Sequence, residues 1–135
     1  MDFKVKDGET LRTTLASIAS WTVIEPWDLV ALSSGLIVKA GASDTAVAFA
    51  PLGSANGETE IEVTVGNDFT LVGTADANFA VTNKGTEVDL VVSSGTQLID
   101  LGSSATDVLK VGIGKDAGTV DSTDNVVVKI NKPLF

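Results

Sequence analysis

The stretch Glu60-Ile61-Glu62-Val63-Thr64-Val65, then Gly66-Asn67, then Asp68-Phe69-Thr70-Leu71-Val72 decides the fold class. Apolar and polar residues alternate with the period of two that belongs to a strand, so Ile61, Val63 and Val65 share one face and the acids take the other. A glycine-first pair between two such runs predicts a tight hairpin. The same grammar recurs at 29–32 and 36–40 around Ser33-Ser34-Gly35, and at 79–82 and 87–93 around Asn83-Lys84-Gly85. Two more strands are expected at 108–112 and 125–131, the second with Val126, Val128 and Ile130 on one face. The 18 valines and 15 threonines fit pleated surfaces better than helices. Short strands parted by glycine turns therefore predict an all-β fold, a compact antiparallel β-sandwich or barrel rather than βαβ units. From Gly95 to Asp107 the pattern loosens into mixed strand and loop around Leu98-Ile99-Asp100-Leu101. Ser-Ser-Gly occurs at both Ser33 and Ser93 but at no continuing period, so no repeat architecture is implied.

Residues 1–20 read differently. Leu11, Leu15 and Ile18 recur at helical spacing, while Phe3 and Val5 alternate with Lys4 and Lys6 and Asp7-Gly8 marks a turn. The expectation is an N-terminal arm or short helix over 1–20, followed by a single β-domain over 21–135.

The 135 residues have 44% hydrophobic and 20% charged composition, enough to bury a core and too little charge for disorder. Histidine, cysteine and tyrosine are absent, which removes the usual neutral-pH base, the thiol nucleophile and the soft metal ligands. The net charge of -9 and the single arginine, Arg12, argue against nucleic acid and anionic lipid as partners. No apolar leader precedes the strands and no run is long enough to span a bilayer, so the expectation is a soluble protein made in the cytoplasm.

The acids Asp116, Asp121 and Asp124 invite a glycosidase or calcium reading, but closeness in a Gly/Ser/Thr loop is not catalytic geometry, and the regular calcium-loop spacing is missing. Gly112-Ile113-Gly114-Lys115 lacks the remainder of any phosphate-binding motif and reads as a bend. Serine nucleophiles have no base. The expectation is a non-enzyme with no cofactor and no metal. Trp21 and Trp27 flank Pro26, which marks an edge or corner, and either indole suits an interface or a sugar-stacking platform. Leu134 and Phe135 end the chain on apolar residues, to be covered by the protein's own body or by a neighbouring subunit.

The run Trp27-Asp28-Leu29-Val30-Ala31-Leu32-Ser33-Ser34-Gly35-Leu36-Ile37-Val38-Lys39-Ala40, the strand Thr45-Ala46-Val47-Ala48-Phe49-Ala50 and the closing Val126-Val127-Val128-Lys129-Ile130-Asn131 resemble the small β-rich decoration, or cement, proteins of tailed-bacteriophage capsids. The likeness covers most of 21–131. It departs where many of those proteins carry glycine before Asp-Leu-Val and this chain has Trp27. The resemblance implies a structural virion protein on the outer capsid surface that contacts the major capsid protein, bridges neighbouring subunits and assembles as a homo-oligomer, often a trimer. Partner-binding residues expected on this reading are Phe3, Val5, Leu11, Trp21, Trp27 and Phe135, with Phe3 and Val5 adding a strand to a partner's sheet edge. The alternative is a carbohydrate-binding or adhesin-like sandwich of a phage tail or bacterial surface.

Overall fold

A computed structural model describes residues 3–8, 12–20, 22–55 and 57–134. In chain order the strands are β1 (Lys4–Gly8), β2 (Arg12–Ser17), β3 (Asp28–Ser33), β4 (Leu36–Lys39), β5 (Ala48–Ala50) and β6 (Glu60–Val65). There follow β7 (Phe69–Gly73), β8 (Glu87–Ser93), β9 (Thr96–Asp100), β10 (Leu109–Val111) and β11 (Val126–Ile130). They form a six-stranded sheet in the order β1-β7-β11-β10-β8-β9 and a five-stranded sheet in the order β2-β6-β5-β3-β4. All ladders are antiparallel, and the two sheets pack as a β-sandwich, the all-β class read from the alternation.

Two apolar clusters follow from the pleat. Leu71, Leu90, Ile99, Leu109, Val128 and Ile130 of the larger sheet meet Leu29, Ala31 and Phe49 of the smaller one in the main core. Val30, Ala48 and Ala50 point the other way and join Ile18, Ile24, Ile37, Ile61 and Val63 in a second core. β3 and β5 are thus buried on both faces, which is why Asp28–Ser33 opens with an apolar run instead of alternating. The smaller sheet curls over the second core, and a parallel bridge joins Ile18 to Ile37 beside its edge strand.

The expected 60–72 hairpin does not form. β6 lies in the smaller sheet and β7 in the larger one, and each pairs instead with the N-terminal segment: Arg12–Ser17 lies against Glu60–Val65, and Lys4–Gly8 against Phe69–Val72. One antiparallel ribbon therefore runs through both sheets and bends between them. Gly66 supplies the bend with a φ of 92° and leaves room for Arg12, whose guanidinium nitrogen would lie 2.4 Å from a Cβ placed there. The alternation was read correctly, but a period of two specifies faces and not partners.

The arm or helix expected over 1–20 is likewise replaced by the strands β1 and β2. Leu15 is exposed and Ile18 buried, so the helical spacing carries no common face. Phe3 is fully buried in the main core, and Val5 packs against it. The segment 79–82, expected as a strand, holds one isolated bridge at Phe79 and then a 3₁₀ turn, Val81–Asn83, in which the Ala80 N–H donates to Asn83 Oδ1. The Ser-Ser-Gly turns at 33–35 and 93–95 both close hairpins, each with positive φ at its second serine and at its glycine.

Two buried polar side chains tie loops and sheets together. Gln97 accepts from the Leu29 N–H at 2.8 Å and donates to the carbonyls of Leu29 and Ala40 at 2.8 and 2.9 Å, linking β9 to the smaller sheet. Asp89 gathers the loop after β9. It accepts from Ser103 Oγ and the Ala105 N–H on one oxygen, and from the Thr106 N–H and hydroxyl and the Asp107 N–H on the other. Burial pushes its carboxyl up, but these bonds outweigh burial and hold it well below the ordinary carboxylate value.

Candidate functional site

The smaller sheet ends in a tip built on the turn Glu25-Pro26-Trp27-Asp28, with Trp27 partly exposed. The Asp28 N–H donates to the Glu25 carbonyl at 3.1 Å, and the Glu25 N–H donates back to Asp28 Oδ2 at 3.0 Å. Proline presets the second turn position, and Trp27 follows with a φ of 74°, the left-handed conformation that this turn normally reserves for glycine. For a bulky residue the cost is on the order of 1–2 kcal/mol. Glycine would take this conformation without that cost.

The Trp27 N–H donates to the Ala50 carbonyl at 2.9 Å, and the indole leans on Phe49 with ring centroids 5.9 Å apart. Even so, 38% of Trp27 is exposed. Ile24 and Ser54 bridge across the tip through two backbone bonds, leaving Val23 and Leu52 exposed on either side. Gly53 lets this strand pass against the turn, since a Cβ there would lie 2.4 Å from the Ile24 carbonyl oxygen.

Beneath the turn, the fully buried Asp28 carboxylate lies 3.3 Å from Lys39 Nζ, which also donates to the Gly95 carbonyl at 2.6 Å. The tip is thereby tied to the β8–β9 turn of the other sheet. Burial pushes the Asp28 carboxyl up, opposed by the Lys39 charge and the Glu25 N–H. Held from below in this way, Trp27 has its position set by its own backbone, by Phe49 and by the anchored Asp28.

The remaining expected residues are scattered. Phe3 and Val5 face the protein's own core, so the strand they form completes this sheet and their side chains are not free for a partner. That corrects their assignment as a hook: the alternation that fits a partner's edge fits β7 equally well. Leu11, Trp21 and Phe135 lie outside the described residues. Leu134 packs on the second core, with its N–H on the Val47 carbonyl. In the loop 115–125, Asp116 is ion-paired to Lys6, which lowers its carboxyl, and Asp121 takes a turn conformation with its N–H on the Phe79 carbonyl. Two carboxyls that do adjoin are Asp76 and Asp100. Burial and then the Asp76 charge push the Asp100 carboxyl up. Among the described residues no three acidic side chains group as a metal site.

The outer face of the larger sheet carries a depression of about 390 Å³ over β10 and β11, lined by Lys110, Ile113, Val127 and Lys129. The sequence reading did not single out these lysines. Lys129 falls on the polar side of the alternation at 126–130, but Lys110 is set beside it only by the pairing of β10 with β11. No family model, curated protein or solved structure matches the chain.

Proposed function

We propose that this chain is a structural protein that binds the outer surface of a tailed-phage capsid and bridges neighbouring capsid subunits, with the Trp27 tip as a contact. The observation that carries the reading is Trp27 itself. A large indole is held partly exposed in a backbone conformation that glycine would take at lower cost, on a turn anchored to both sheets. Packing on Phe49 offsets part of the backbone cost, and the exposed remainder of the indole is suited to an interface, where aromatic anchors carry much of the binding energy. The resemblance of the 27–40, 45–50 and 126–131 segments supplies the kind of partner. In that role each bound copy adds buried area to the assembled shell, and a ligand of the assembled state stabilises it.

The test is co-sedimentation with mature capsids from the protein's source, counting bound copies for the wild type and for Trp27→Gly. The substitution relieves the left-handed strain but removes the contact with Phe49, so a net loss of about 1–3 kcal/mol that leaves the protein folded is expected together with loss of binding. Saturation at a lattice copy number supports the reading. Absence of wild-type binding, combined with a Trp27 fluorescence change on a glycan panel, replaces it with a sugar-binding module.

A further inference from the structure

The outer face of the six-stranded sheet is divided on a molecule whose net charge is -9: Glu87, Asp89 and Asp100 stand on β8 and β9, and lysines on the side of β1, β10 and β11. Five of its nine basic residues stand there: Lys4 opposite Val72, Lys6 and Lys115 beside Val127, and Lys110 and Lys129 on β10 and β11. Lys110 and Lys129 are direct cross-strand partners, a placement in which like charges repel. Among the described residues neither has an ion pair. Glu87 faces Lys110 across the β8–β10 ladder without closing one, and Asp116 is engaged by Lys6. The two lysines border the 390 Å³ depression, whose lining also includes the 80% exposed Ile113 and the half-buried Val127. Like charges at paired positions are ones that an anion placed between them would offset.

We propose that this face docks an acidic segment of a protein partner, whose carboxylates sit between Lys110 and Lys129 while its apolar side chains cover Ile113 and Val127. Charge complementarity identifies the chemistry, and the mixed lining identifies the class. A phosphate backbone has nothing to place on Ile113, there is no arginine on the face to grip it, and a long polyanion meets the field of the whole -9 chain. A short acidic segment responds mainly to charges within a Debye length of about 8 Å, where Lys110 and Lys129 outnumber Glu87. The inference concerns a different sheet from the Trp27 tip and does not depend on the partner being a capsid.

The test is a titration of the isotopically labelled full chain with decaglutamate, followed by amide and lysine-side-chain chemical shifts at two ionic strengths. Shifts centred on Lys110, Ile113, Val127 and Lys129 are expected, weakening as salt rises. Lys110→Glu/Lys129→Glu should bind about tenfold more weakly, as two exposed charge contacts imply. Lys110→Gln/Lys129→Gln guards against a folding effect and should also weaken binding. Shifts spread evenly over the surface, equal binding by the double variants, no shifts at millimolar peptide, or tighter binding of a ten-nucleotide oligothymidine would each overturn the proposal.

Discussion

Replacing Asp89 by Asn tests whether one buried carboxylate organises the loop between β9 and β10. In the native protein Oδ2 takes Ser103 Oγ at 2.6 Å and the Ala105 N–H at 2.9 Å, while Oδ1 takes the Thr106 and Asp107 N–H groups, both at 2.8 Å. An amide has one acceptor oxygen. If it serves Thr106 and Asp107, the NH2 group faces the Ala105 N–H, donor against donor. A buried donor left unmade costs about 1–3 kcal/mol, and the surviving bonds lose their charge assistance. The sum is about 3 kcal/mol, a large share of a typical domain's stability. Urea unfolding followed by tryptophan fluorescence should show it as a midpoint lowered by about 2 M. The pH dependence gives a second reading. Because the folded carboxyl titrates below its unfolded value, its contribution is fully present above about pH 5 and is lost as pH falls through the ordinary carboxylate range toward the lower folded value. The gap between wild type and variant should therefore narrow in acid. A variant within about 0.5 kcal/mol of wild type at pH 7, or a gap that stays constant from pH 7 to pH 3, refutes the reasoning.

Phe3→Ala should cost about 3–5 kcal/mol in chemical denaturation because the ring is fully buried in the main core; a loss under about 1 kcal/mol would show that β1 is dispensable to the fold. Gln97→Leu strands the Leu29 N–H and loses both carbonyl contacts, so a loss of about 2–4 kcal/mol is expected, with faster amide exchange at Leu29 as the local check. Asp28 has the opposite sign from Asp89. Its folded carboxyl lies above the unfolded value, so the stabilisation belongs to the protonated form and fades as pH rises through the raised value. Asp28→Asn should remove that decline and leave stability at pH 7 equal or higher; a loss above about 1 kcal/mol would mean that the pairing with Lys39 outweighs burial.

The hairpin at 33–35 is local enough for sequence to specify both strand and partner, whereas the equally local hairpin at 93–95 is hidden by the looser pattern after Gly95. The 60–72 segment shows the limit. Its faces follow from side-chain period, but its partners lie more than 40 residues upstream, beyond anything a turn motif records. Phe3 fails for a related reason, since an alternating N-terminal segment is chemically equivalent whether it completes its own sheet or another's. Trp27 is legible as one of two candidate indoles beside Pro26, yet its positive φ is not, because left-handed backbone at a tryptophan has no sequence signature. Asp89 and Gln97 each look like one polar residue on a strand, and only tertiary structure reveals the groups they satisfy.

The bent ribbon of β1–β2 against β6–β7 has a kinetic consequence. Its pairing closes a long loop before any contact in it forms, and the same two segments feed both apolar clusters. High contact order of this kind places folding in the millisecond-to-second range. It also denies either sheet an independent existence: peeling β1 from β7 pulls Phe3 from the main core while β2 and β6 still hold the same ribbon together. The molecule should lose its two sheets in a single cooperative transition, with no half-folded species retaining one of them.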